Sequence, residues 1–95
     1  MSQGDREFEK KILSVASQEL KEEVKDFNIA IAQVDYHQAA QLVHKIKHKI
    51  SLLGMEKSYE IAQAFEEQLN NGSESLLSDF RVILEKMITF LQESE

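Results

Sequence analysis

The chain has 95 residues, room for one domain and one hydrophobic core, and 42% of them are hydrophobic against 29% charged. Its net charge of −6 argues against non-specific binding to DNA, RNA or anionic lipid, and no apolar run approaches the roughly 20 residues that span a bilayer. Without cysteine there is no disulfide, thiolate nucleophile or Cys-ligated zinc, and with a polar N-terminus lacking a signal-peptide pattern this points to a cytoplasmic protein.

From about Asp5 to Gln33, apolar residues recur at gaps of three and four: Phe8, Ile12, Val15/Ala16, Leu20, Val24, Phe27, Ile31 and Val34. No breaker interrupts them, which predicts one long first helix. Asp35 is placed to cap a second helix, whose inner face reads Tyr36, Ala39/Ala40, Val43, Ile46, Ile50 and Leu53 before Gly54 stops it. A third helix is expected from Glu56 to Leu69, with Tyr59, Ile61/Ala62, Phe65 and Leu69 inward. Asn70-Asn71-Gly72-Ser73 is the clearest turn, with Ser73 available as the next cap. The fourth helix carries Leu76/Leu77, Phe80, Ile83/Leu84, Met87/Ile88 and Leu91. No strand-like alternation competes. Four amphipathic helices with short connections predict an all-α, antiparallel up-down four-helix bundle, a single domain over residues 1–95.

Charge is uneven along this chain. Tyr36 to Gly54 holds three lysines and no acid, a +3 island that leaves −9 for the rest and suggests a local acidic or phosphorylated partner. At about 100° per residue, His44 falls at the edge of the face centred on Val43, where its ring reaches solvent. His37 and His48 project within about 40° of it, Lys47 lies between it and the core, and Lys45 and Lys49 lie farther round. A neutral imidazole is a good nitrogen nucleophile. Lys47 beside it would disfavour the imidazolium by like-charge repulsion and later offset a phosphoryl anion. Such chemistry needs positioning and charge stabilisation above all. The chain offers only half of a transfer site, because an acidic Mg²⁺ site has no candidate in it.

The run His44-Lys45-Ile46-Lys47-His48-Lys49-Ile50-Ser51-Leu52-Leu53-Gly54 resembles the signature of histidine-containing phosphotransfer (Hpt) domains. That signature has an acceptor His, an apolar residue two later, Lys three later, usually Gly four later, and a closing Leu-Gly. His44, Ile46, Lys47, Leu53 and Gly54 match in register, and the resemblance covers nearly the whole chain. It implies that His44 is the phosphoacceptor, taking a phosphoryl group from a receiver-domain aspartate and passing it to another receiver. Lys47 would stabilise charge. Partners would be response-regulator receiver domains or a hybrid histidine kinase, with Mg²⁺ supplied by the receiver and no cofactor of the chain's own. The protein would then be a monomeric phosphocarrier rather than an enzyme. Many family members hold the imidazole with a Gln on the third helix. The ungapped equivalent is Glu66, with Gln63 one turn earlier. Ile29, near Ala40 and Gln41 in an antiparallel pair, would form part of a receiver-docking patch. His48 and Lys49 depart from the family, standing where small residues usually leave access to the imidazole.

Other readings remain for these residues. His44 can be a solvated surface histidine on a non-catalytic regulatory bundle. His44 and His48, spaced i, i+4, can chelate zinc, copper or nickel, although no H-E-x-x-H pattern supports a metal site. Ile29, Ala32 and Leu52 can be scattered surface hydrophobes. The phenylalanines Phe8, Phe27, Phe65, Phe80 and Phe90 read as core or core edge, and Glu22-Glu23 and Glu66-Glu67 as solvated helix faces.

Overall fold

Helical periodicity carries through into structure, with refinements at the first and last junctions. The computed structural model describes residues 2–94, with side chains described from 10 to 92; Phe8 and its place in the stripe lie outside these. Helix α1 spans Ser2–Ala32, α2 Tyr36–Leu52, α3 Glu56–Asn70 and α4 Leu77–Ser94, and the described residues contain no strand. At 1.5 Å per residue the 31 residues of α1 extend about 46 Å. This accounts for a long axis of 48 Å against 23 and 18 Å across. Helix α2 packs on α1 and α3, and α4 closes against α1 and α3, the neighbour order of an up-down bundle. No helix among the described residues is long and apolar enough to cross a membrane.

Three phenylalanines join three helices at the centre. Phe27 of α1 meets Phe80 of α4 at 5.3 Å between ring centroids and Phe65 of α3 at 6.1 Å, both edge-on, while Phe65 and Phe80 are 5.1 Å apart. All three are fully buried. Each such ring stabilises the fold by about 1.5–3 kcal/mol through burial, and edge contacts add to that. Helix α2 contributes Ala39, Val43, Ile46 and Ile50, all fully buried at spacings of four, three and four. That stripe fixes the rotation of α2 and sets which of its polar residues stand at the edge. Phe90 is at the rim, partly exposed.

The helix ends explain most differences from the sequence reading. α1, α2 and α3 each finish in a Schellman motif, with paired bonds running back into the last turn. In α2 the Gly54 N–H donates to Ser51 O at 3.1 Å and the Met55 N–H to Ile50 O at 3.3 Å, with Gly54 at φ +72°. Gly72 plays the same part after α3 at φ +80°. After α1 the left-handed position belongs to Val34, at φ +56° and 66% exposed, with Val34 N–H to Ile31 O at 3.0 Å and Asp35 N–H to Ala30 O at 2.8 Å. Val34 therefore terminates the helix instead of extending its apolar face. The branch at Cβ makes this conformation strained. Val15 also points outward, and Ala16 takes the inner place.

Asp35 caps α2 as expected, accepting from the Gln38 N–H at 3.2 Å. Ser73 does not cap α4. The helix starts four residues later, at Leu77, and the Ser73 hydroxyl instead accepts from the Ser75 N–H within the connecting loop at 3.3 Å. Gln68 steadies this loop, its Oε1 accepting from the Leu76 N–H at 3.2 Å. The Tyr36 hydroxyl ties the same loop to α2, donating to Glu74 Oε2 at 3.0 Å. That bond raises the phenol above its ordinary pKa of 10.0, with slight desolvation and the Glu74 charge acting in the same direction.

Candidate functional site

With Val43 and Ile46 buried at the centre of α2, His44 is one residue round from the core and its side chain is 52% exposed. Its Nδ1 faces Glu66 on α3, at 3.4 Å from Oε1 and 3.3 Å from Oε2. The same carboxylate receives the Lys47 ammonium, Nζ to Oε1 at 3.0 Å. Lys47 runs beneath His44 between α2 and α3 with its side chain only 11% exposed, and Nζ stands 5.6 Å from the centre of the Tyr59 ring. A nearly buried ammonium requires a counter-charge. Glu66 supplies it, so the positive charge of Lys47 is paired beside the imidazole and does not stand alone as expected.

The choice between the two third-helix candidates follows from rotation. Ala62, Phe65 and Leu69 define the buried face of α3. At 100° per residue Glu66 lies about 65° from the middle of that face and Gln63 about 125°. Glu66 thus reaches the α2–α3 seam, whereas Gln63 is exposed and makes no hydrogen bond among the described residues. A carboxylate only accepts, so it selects the His44 tautomer with hydrogen on Nδ1 and leaves the Nε2 lone pair outward.

The histidine stripe divides. His48 Nε2 lies 3.3 Å from His44 Nε2, with the rings edge-to-face at 4.8 Å and 87°. His37 instead pairs with Gln41, ring Nε2 to amide Nε2 at 3.3 Å. Among the described residues no group of three or more His, Cys, Asp or Glu side chains gathers to hold a metal ion.

Lys49, the other departure from the family pattern, does not obstruct His44. Its ammonium turns to α1, donating to Glu23 Oε2 at 3.1 Å and standing 3.1 Å from Glu23 Oε1 and 3.5 Å from Glu19 Oε1. Glu23 Oε1 is buried with no hydrogen bond of its own, so the nearby ammonium charge is what compensates it. Glu23 is therefore a half-buried tether and not the solvated residue its Glu22-Glu23 setting implied. Two of the three lysines of the basic island are committed to internal pairs, and Lys45 alone makes no ion pair among the described residues. The pairing of Glu19 and Glu23 with Lys49 was not read from the sequence. Their i, i+4 spacing on one helix face was the available signal.

The expected docking residues border two different depressions. Ile29 is 47% exposed and borders a depression with Gln33 and Gln38. Gln41 borders the hollow that contains His44, Lys45 and Glu66. Ala40 touches that hollow but is buried, so it adds almost no surface of its own. Its methyl belongs to the hydrophobic core.

The family model of the Hpt domain matches residues 11–94. The chain belongs to the Hpt domain family. Neither a curated protein nor a solved structure matches it significantly. Hpt domains are histidine phosphotransfer modules of two-component phosphorelays, phosphocarriers that work with receiver domains and kinases. In this Hpt domain His44 is partly exposed, with its Nδ1 facing Glu66 and its Nε2 3.3 Å from His48 Nε2.

Proposed function

We propose that this Hpt domain carries a phosphoryl group on His44 Nε2, accepting it from a receiver-domain aspartyl phosphate and delivering it to another receiver. The observation that carries this reading is the His44–Glu66 contact, which holds hydrogen on Nδ1 and leaves Nε2 as the outward nucleophile. The Nε2 lone pair attacks phosphorus, the acyl oxygen–phosphorus bond breaks, and aspartate leaves as its carboxylate. No proton need leave Nε2. Positive charge developing on the ring is stabilised by Glu66 through Nδ1–H. Lys47 acts through Glu66, holding the carboxylate against the imidazole and balancing its charge where a lone carboxylate would repel phosphate. Gln63 has no part in this arrangement.

The receiver supplies Mg²⁺, which offsets charge on the transferring group. The reaction reverses onto a second receiver, so the domain carries phosphate without independent turnover. Ile29 and Gln41 serve as separate contact points on the receiver-facing side, and the domain acts as a cytoplasmic monomer. Incubation with a receiver charged by acetyl phosphate and Mg²⁺ tests the reading. Acid-labile, alkali-stable phosphate is expected on the wild type and lost in His44→Gln. No label from a panel of receivers, or label that persists in His44→Gln, overturns it.

A further inference from the structure

His48 occupies the helical position where the family usually has glycine, and its ring closes on the one atom of His44 that phosphorylation requires. Three contacts determine how the two rings share protons. Glu66 can only accept, so neutral His44 carries hydrogen on Nδ1 and a lone pair on Nε2. His48 Nε2 lies 3.3 Å from that lone pair. Two lone pairs at this distance would repel, so His48 is the donor, with hydrogen on Nε2. The edge-to-face geometry, 87° between ring planes, suits an N–H in the plane of one ring approaching the other.

The consequence for transfer is steric as well as electronic. Before the bond forms, a reacting phosphorus must stand about 3–3.5 Å from the nucleophile. The His48 nitrogen is already there. An N–H donated into the lone pair also lowers its nucleophilicity until the bond is broken. His48 is exposed and borders a shallow open hollow between α1 and α2 into which its ring can turn, so the obstruction is reversible.

We infer that His48 is a gating residue. In the free domain it caps the Nε2 lone pair of His44, and a docking receiver must displace it before the phosphoryl group can arrive. This inference rests on the carrier reading of His44 and adds a step ahead of chemistry. It also explains how the domain tolerates a large side chain where its family has a small one: the residue moves with the approach of the partner. Lys49, the second bulky departure, is held on α1 and takes no part.

The test is single-turnover phosphorylation by excess receiver charged with acetyl phosphate in Mg²⁺, comparing wild type, His48→Ala and His44→Gln. Alanine is a strong helix former and position 48 is exposed, so the variant keeps the fold. Losing a hydrogen bond of ordinary net strength predicts labelling about three- to tenfold faster in His48→Ala. Nitrogen-15 NMR of the imidazoles gives a readout that a merely structural role would not move. The His44 Nε2 resonance should shift toward that of a free lone pair in His48→Ala while Nδ1 stays protonated. Equal or slower labelling of His48→Ala, or an unmoved Nε2 resonance, overturns the gate alone. Absence of label on wild type and His48→Ala alike, or label that persists on His44→Gln, overturns the carrier reading, and the gate with it.

Discussion

Removing the Glu66 carboxylate tests the heart of the site, because two functional groups depend on it. In Glu66→Ala the Lys47 ammonium loses its partner at 3.0 Å while its side chain, 11% exposed, has little water to replace it. Breaking a fully buried ion pair from one side costs about 3–5 kcal/mol. Glu66 is itself 21% exposed, which admits some solvent and reduces the expected loss to about 2–3 kcal/mol. A domain of this size has a total stability of about 5–10 kcal/mol. With a urea dependence of about 1–1.5 kcal/mol per molar, the midpoint should fall by about 2 M. Adding Lys47→Met removes the stranded charge and should recover most of the loss, giving a coupling of about 2 kcal/mol across the cycle. The measurement is urea denaturation of wild type, both single variants and the double variant. A cost of Glu66→Ala below about 0.5 kcal/mol, or additivity of the two changes, would refute the buried-pair account.

Other consequences follow from separate parts of the fold. Val34→Gly removes a β-branched residue from φ +56° and should stabilise by about 1 kcal/mol, raising Tm by about 4–8 °C in calorimetry; an unchanged or lower Tm would count against strain there. Lys49→Ala leaves Glu23 half-buried without its cation and should cost about 1–2 kcal/mol, whereas Lys45→Ala should change stability by less than about 0.5 kcal/mol. Equal effects of the two changes would mean that the α1 tether is absent. The Tyr36 phenol titrates above 10.0 in the folded state, so its contribution is fully present below that pH and is lost as pH rises through the folded value. Wild-type stability should therefore fall more steeply than that of Tyr36→Phe above a pH of about 10, and parallel curves would remove the Tyr36–Glu74 bond from the account.

Much of this protein is decided within single helices, and that part is legible from sequence. The buried stripe of Ala39, Val43, Ile46 and Ile50 is a matter of spacing, and once the stripe is known His44 must stand at its edge. Gly54, Gly72 and Asp35 mark helix ends because the backbone conformations and capping bonds they favour are local. Val34 shows the limit of such reasoning: its apolar character matched the stripe, but one helical turn of geometry placed it at the terminating position. Side-chain partnership was settled only by tertiary structure. Glu66 and Gln63 are one turn apart on α3, and the rotation of α3 against α2 delivered the first to His44 and left the second in solvent. The same packing committed Lys47 to Glu66 and Lys49 to α1, converting an apparent basic island into two internal pairs and one lysine with no ion pair among the described residues. Charge along a chain is a property of sequence; whether that charge faces a partner depends on which oppositely charged side chain the neighbouring helix brings within about 3–4 Å.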